Sequence, residues 1–199
     1  MMRFRNWPSA RSTPKRLEGG GDAKVHLSAA LVTALSSAAF AQSVGEQTGV
    51  NSALGIAPKT EDFIKEAATS DMLEIDAAKI AQQKGNADEK QFAQQMVTDH
   101  TKTTSELKGL VPADMKSALP TTLDNSSQKK LDTLRDTKPE DFAGQYDPMQ
   151  VSAHKDAVSL FERYAKGGDD PKLKDWAAKT LPALQHHLEM AQALDKNRK

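Results

Sequence analysis

Four long segments of this sequence repeat small and apolar residues at spacings of three and four, the period of an α-helix that buries one face. The first segment runs from Thr60 to Lys84, and the other three begin after Asn86, Thr137 and Asp170. The buried face of the first segment is predicted to contain Phe63, Ala67, Ser70, Glu74, Ala78 and Ala81. A chain with this pattern is committed to helices, and its low aromatic content of 5% agrees with that class.

Start and stop signals flank these segments. Capping boxes, in which the residue three positions into a helix bonds back to the N-cap, are predicted at Asn86 with Glu89 and at Thr137 with Glu140. Because proline removes a backbone donor and restricts the residue before it, Asp147-Pro148 predicts a kink or restart in the third helix. Pro182 predicts a bend in the fourth. Further boundaries are marked by Gly85, Pro112, Gly167-Gly168 and Asp170-Pro171.

Helices of about 24 residues are about 36 Å long and fit side by side. Two of the three connections are short, whereas residues 112–136 form a longer one that carries a minor helix with Leu131 and Leu134. The sequence therefore predicts an all-α protein, with an antiparallel four-helix bundle over residues 60–195 and a longer crossover between the second and third helices.

The N-terminal region has the features of a secretory leader. Residues 27–38 are apolar, basic residues precede them, and Ala39 and Ala41 suit cleavage after Ala41. We predict a signal peptide with a long N-terminal extension over residues 1–41, a flexible linker over 42–59, and a periplasmic mature protein. The mature chain has no later segment apolar enough to span a membrane.

Charge and cysteine content exclude several classes of protein. The 27 basic and 27 acidic residues balance, so no electrostatic footprint for nucleic acid is present. After removal of residues 1–41, 21 basic and 25 acidic residues leave a net charge of −4. With no cysteine, a metal would have to bind His, Asp or Glu. We predict no nucleotide or organic cofactor.

One polar residue interrupts the buried face of each predicted helix. These residues are Glu74, His100, His154 and His187. Counted from the turns, each lies near the middle of its helix, so three imidazoles and a carboxylate can meet as ligands of one divalent metal ion. The alternative is a hydrogen-bonded network that fixes helix register, and both interpretations stay open. Asp99, Asp156 and His186 are interpreted as solvated surface groups.

Four stretches resemble the bacterial domain-of-unknown-function family 4142. They are FIKEAATSDMLEIDAAKIA (63–81), FAQQMVTDH (92–100), HKDAVSLF (154–161) and TLPALQHHLEMA (180–191). The resemblance covers residues 60–195 and implies a ferritin-like bundle, export, and no established activity; members are often catalogued as predicted outer-membrane proteins. It carries the motif residues over to Glu74, Asp99-His100, His154 and His187.

The chain departs from this resemblance in two places. The family usually has an Asp-His pair in the third helix, where this chain has Ala153-His154. Ferritin-like di-iron sites use Glu-x-x-His pairs, yet Val97 and Leu184 stand three positions before His100 and His187. A single ion is therefore predicted rather than a di-iron centre.

Three hypotheses for function follow. The first is a non-enzymatic periplasmic bundle that binds one metal ion through the His/Glu cluster. The second is a mononuclear metal-dependent enzyme, an oxidoreductase or hydrolase, which would need an open coordination position. The third is an envelope interaction protein or homo-oligomer whose charged outer faces bind a partner and whose core cluster is structural.

Overall fold

The computed structural model describes residues 49–198. The predicted signal peptide, its cleavage site after Ala41 and the first part of the predicted linker lie outside the described residues. Within residues 49–198 the chain is all-helical and contains no strand, which confirms the prediction of an all-α protein.

Among the helices of residues 49–198, four are long and two are short. Helix α1 spans Val50–Leu54 within the segment predicted as a linker. The others are α2 (Thr60–Lys84), α3 (Ala87–Leu110), α4 (Asn125–Asp136), α5 (Phe142–Gly167) and α6 (Pro171–Asn197), with 3-10 turns at Ala113–Ala118 and Pro139–Asp141. Helix α4 is the predicted minor helix, and its side chains Leu131 and Leu134 are buried.

The predicted capping box at the start of α3 is confirmed. The Asn86 side chain accepts from the backbone N–H groups of Asp88 and Glu89 at 2.9 and 3.0 Å, and Glu89 Oε2 accepts from the Asn86 N–H at 2.6 Å. Gly85 ends α2 immediately before it. At the start of α6, the Asp170 side chain accepts from the Leu173 N–H, as an N-cap should. These local bonds fix both short turns.

The capping box predicted at Thr137 and Glu140 is wrong. Thr137 instead ends α4, and its hydroxyl donates to the carbonyl of Thr133. Lys138 is extended because it precedes Pro139, and a residue before proline disfavours helical geometry. Helix α5 therefore begins at Phe142, after a single 3-10 turn.

A kink or a restart was predicted at Pro148; no restart occurs, since α5 continues through this residue. Proline at position 148 leaves the carbonyl of Gly144 without its helical donor. Arg198, at the end of α6, donates Nη1 to that carbonyl at 3.3 Å. This bond gives the Gly144 carbonyl a donor in place of the one that proline lacks. Helix α6 likewise continues through Pro182.

Two apolar clusters show how the long helices are directed. One cluster, which we call the lower core, contains residues from the first halves of α2 and α6 and from the second halves of α3 and α5. Its members include Phe63, Leu107, Phe161, Tyr164, Leu173 and Trp176. The other cluster, the upper core, contains residues from the other halves of the same four helices and from α4. Its members include Leu73, Phe92, Met96, Leu131, Tyr146 and Ala191. Helices α2 and α6 thus run one way and α3 and α5 the other, while α4 packs on α2 and returns the chain to the upper end.

A polar layer separates the two cores. Its buried members are Asp71, Glu74, His100, Gln150, His154 and His187. Polar groups at this depth are costly unless they are paired, so the layer marks the part of the fold that packing alone does not explain. Among residues 49–198, no helix has the length and apolar character needed to cross a membrane.

Candidate functional site

Each long helix contributes one of the four predicted residues to the polar layer. Glu74 lies on α2, His100 on α3, His154 on α5 and His187 on α6. Their exposed fractions are between 1 and 3%, so all four are inside the protein. The helical periodicity that placed them on inward faces is thereby confirmed.

The three histidines converge on a common point. One ring nitrogen from each of His100, His154 and His187 lies within 4.8 Å of the other two. The centroids of the three rings are 5.5 to 5.8 Å apart, which makes a nearly equilateral arrangement. We call this group the histidine triad.

A buried carboxylate holds His100. Nδ1 of His100 lies 2.8 Å from Asp71 Oδ1, and a carboxylate can only accept, so Nδ1 carries the proton. The hydroxyl of Thr103 donates to both oxygens of Asp71 at 2.9 Å, and Thr104 donates to Oδ2 at 3.1 Å. Asp71 is thus fixed by three partners on α3, and it fixes the ring of His100 in turn.

The other two rings are held by different acceptors. Nδ1 of His154 donates to the backbone carbonyl of Gln150 at 2.9 Å, one turn earlier in α5. Nε2 of His187 donates to Asp99 Oδ2, across from α6 to α3, at 2.8 Å. Each ring of the triad therefore has one nitrogen that is committed as a donor.

The second nitrogen of each ring is buried and has no hydrogen-bond partner among residues 49–198. These atoms are Nε2 of His100, Nε2 of His154 and Nδ1 of His187. In the neutral imidazole, a nitrogen opposite a bonded N–H carries a lone pair. Three buried lone pairs directed to one point form a donor set that suits a transition-metal ion.

Glu74 adds negative charge beside the triad. Both of its carboxylate oxygens are buried without a hydrogen-bond partner, although Glu74 is not among the three residues whose ligand atoms lie within 4.8 Å. An ionised carboxylate in such a place needs a compensating positive charge. A cation among the three rings would supply it.

The electrostatics of the triad differ from ring to ring. Burial lowers the pKa of His100, but the hydrogen bond to Asp71 and the charge of Glu74 outweigh burial and raise this pKa above its ordinary value. Burial lowers the pKa of His154. Burial also lowers the pKa of His187 to about 4, despite the bond to Asp99. Two rings are thus neutral near pH 7. The surrounding carboxylates favour the protonated form of His100, which must lose one proton before it can offer a lone pair to a metal ion.

Asp99 was predicted to be a solvated surface acid, and that prediction is wrong. Adjacent helical positions do point in different directions, so Asp99 does not share the direction of His100. Its side chain nevertheless points toward α6 and bonds His187 there. Its side chain is 30% exposed and is bonded to His187. His186, by contrast, is 69% exposed, as predicted.

Sequence reasoning missed two anchors of the triad. Asp71 is three positions before Glu74 and hence on the same face of α2, which is the signal that could have revealed it. The Gln150 carbonyl is a backbone group that no residue pattern identifies. The Gln150 side chain and the Tyr146 hydroxyl are also buried without partners on the upper side of the layer.

The comparisons with known proteins place the chain in a sequence group without assigning a role. A family model described as a domain of unknown function (DUF4142) matches residues 45–194. No curated protein and no solved structure matches the chain.

Proposed function

The chain belongs to the DUF4142 family of domains of unknown function, and from the geometry of its own site we propose that it is an exported protein that binds one divalent metal ion. His100, His154 and His187 hold the ion through the three converging nitrogens, and Glu74 is the adjacent carboxylate. The ion is a bound component of a non-enzymatic protein, and no substrate is assigned to it.

One observation carries this proposal. Each ring of the triad has one nitrogen anchored by an oxygen acceptor and the other nitrogen buried without a partner. Metal-binding histidines are oriented by just such an acceptor on the far nitrogen, which fixes the tautomer and strengthens the ligand. A purely structural network would be expected to satisfy the inward nitrogens as well, since an unsatisfied buried polar atom costs about 1–3 kcal/mol.

The donor set defines the class of ion. Imidazole with carboxylate suits zinc, iron, manganese, nickel or copper(II), whereas soft sites for copper(I) use sulfur ligands that are not part of this triad. Val97 and Leu184, where a di-iron protein has glutamates, are apolar and lie on the same faces as His100 and His187. These residues support one ion rather than two.

We further propose that the helices form a ferritin-like four-helix bundle. The support is the order of directions, in which α2 and α6 oppose α3 and α5, together with a crossover through α4. Ferritin-like bundles have a single long crossover connection and build metal sites from inward side chains of facing helices.

The test is metal content of the full chain, purified without chelator or histidine tag and measured by mass spectrometry. We expect one equivalent of metal in the wild type and none in the variant that combines His100→Ala with His187→Ala. His186→Ala is the matched control, because it removes an exposed imidazole beside His187 and should keep the metal. Circular dichroism verifies that each variant is folded.

The opposite outcome is equally clear. If the double variant keeps the metal, the assignment to these histidines is wrong. If the wild type binds neither zinc nor cobalt in a titration, the polar layer is structural and the metal proposal is wrong.

Export is proposed on the apolar leader at residues 27–38 and the small residues before Gln42. We expect the protein in the periplasmic fraction, with Gln42 as its first residue by intact mass and N-terminal sequencing. A cytoplasmic product that retains residues 1–41 would contradict this proposal.

A further inference from the structure

A groove between α3 and α6 lies next to residues that hold the triad in place. Its volume is about 670 Å³. All of its lining residues belong to these two helices, and they include Asp99, Thr103, Glu106, Trp176, Thr180 and Ala183. Two of them belong to the hydrogen bonds that hold the triad, because Asp99 bonds His187 and Thr103 bonds Asp71.

Asp99 gives the groove a charged contact with the site. Its Oδ2 accepts from His187 at 2.8 Å and from Gln95 at 2.7 Å, so both bonds end on one oxygen. At 30% exposure, Asp99 reaches solvent while it touches a ring that is nearly inaccessible. Glu106, further along the groove, is already engaged by Lys102 at 2.7 Å and by Trp176 at 3.0 Å.

A second cavity approaches the triad from the upper end but meets an apolar wall. It has a volume of about 560 Å³ and is lined by Phe92, Asp147, Met190 and Ala193, among others. The ring of Phe92 packs edge-on against His154, with centroids 6.0 Å apart. This cavity also contains the carboxylates Asp88 and Asp147, but the lining residue that contacts a ring of the triad is Phe92, whereas in the groove it is Asp99. A cation in the groove therefore meets an oxygen ligand next to the triad, and a cation in this cavity meets an apolar ring.

We propose that a divalent cation enters and leaves the histidine triad through the groove between α3 and α6, and that Asp99 guides it because this carboxylate is bonded to a histidine of the triad. This inference rests on the proposed metal site and adds the route to it. Asp99 is thus a positioning residue for His187 and an entry residue for the ion.

The experiment measures rates of Co²⁺ binding to the full chain by stopped-flow absorption, and rates of release into excess chelator. Ala183→Trp fills the groove, and Ala193→Trp is the matched control, since both alanines are exposed positions of α6 that line different cavities. We expect Ala183→Trp to slow both rates by about tenfold with an unchanged Kd, because a blocked route acts equally on entry and exit. Ala193→Trp should leave both rates unchanged.

Asp99→Asn tests the charge without filling the groove. The amide oxygen can still accept from His187, so the ring stays anchored while the negative charge is lost. We expect slower binding that depends less on ionic strength than in the wild type. If this variant keeps the wild-type salt dependence, the role of Asp99 in entry is wrong.

The outcomes separate the two proposals. Equal rates in the wild type and in Ala183→Trp, with Co²⁺ still bound, would overturn the route and leave the metal site standing. Equal slowing by Ala183→Trp and Ala193→Trp would overturn it as well. A wild-type chain that binds no Co²⁺ and no Zn²⁺ would overturn both.

Discussion

Asp71 is the residue on which the orientation of His100 depends. It accepts from His100, Thr103 and Thr104, and its removal leaves the buried Nδ1 of His100 without an acceptor. We predict that Asp71→Ala weakens Zn²⁺ affinity by about 10- to 100-fold, as loss of outer-shell partners of metal-bound histidines does. Competition with a chromophoric chelator measures this change.

Asp76→Ala is the control for this variant. Asp76 is on the same helix but is exposed and paired with Lys79. Its replacement should leave Zn²⁺ affinity unchanged. Equal affinity in Asp71→Ala and Asp76→Ala would show that the anchor does not matter for metal binding.

Asp147 makes stability depend on pH. Burial and the nearby Glu89 raise the pKa of Asp147 to about 7; Asp195 acts in the same direction and Arg198 opposes it. The folded chain therefore binds this proton more tightly than the unfolded chain, and stability is lost as pH rises from about 4 to 7. We predict that Asp147→Asn is more stable than the wild type at pH 8 by about 4 kcal/mol, and that the gain vanishes near pH 4.

Urea unfolding at both pH values measures this difference. The amide keeps the shape of the carboxyl group and removes its charge, so a pH-independent difference would indicate a packing effect and would contradict the role assigned to the proton.

At the scale of the helix, the capping box of α3 at Asn86 can be compared with the one predicted at Thr137, which does not form. Asn86→Ala removes the acceptor of two backbone N–H groups, and we predict a loss of about 1 kcal/mol in the free energy of unfolding. Thr137→Ala should cost less than about 0.5 kcal/mol, because Thr137 ends α4 and starts no helix. Chemical denaturation of both variants checks the ranking; a larger loss in Thr137→Ala would reverse our assignment of the boundary.

The helices could be predicted because their information is local. Apolar spacing and the signals at Gly85, Asn86 and Asp170 depend on neighbours within one turn, and these boundaries are confirmed. The failure at Pro148 has a distant cause, since Arg198 replaces the missing bond from 50 residues away. A sequence pattern does not contain that contact.

The same distinction explains what was predicted of the site. Burial of Glu74, His100, His154 and His187 follows from their helical faces. The anchoring of His187 by Asp99 does not, because it depends on how α3 and α6 are rotated toward each other. Reasoning along one helix therefore finds inward residues and misses the partners that a second helix supplies.

For the molecule as a whole, the proposed ion would add a further connection between helices that packing and the hydrogen bonds of Asp71 and Asp99 already join. Because the ligands lie on different helices, binding to the folded state alone stabilises the entire fold. We predict that Zn²⁺ at about 100 times its Kd adds about 2.7 kcal/mol to the free energy of unfolding. Thermal unfolding with and without Zn²⁺ measures this gain, and the variant with His100→Ala and His187→Ala should show none.

The division of the triad between two hairpins has a consequence for the order of folding. The hairpin of α2 and α3 supplies Glu74 and His100, and the hairpin of α5 and α6 supplies His154 and His187, so neither half holds three imidazoles. Contacts within each hairpin are close in sequence and form early, whereas docking of the hairpins must close the intervening crossover. Tight capture of an ion is therefore a late event, and the metal supply in the compartment where docking finishes would decide which ion the protein carries.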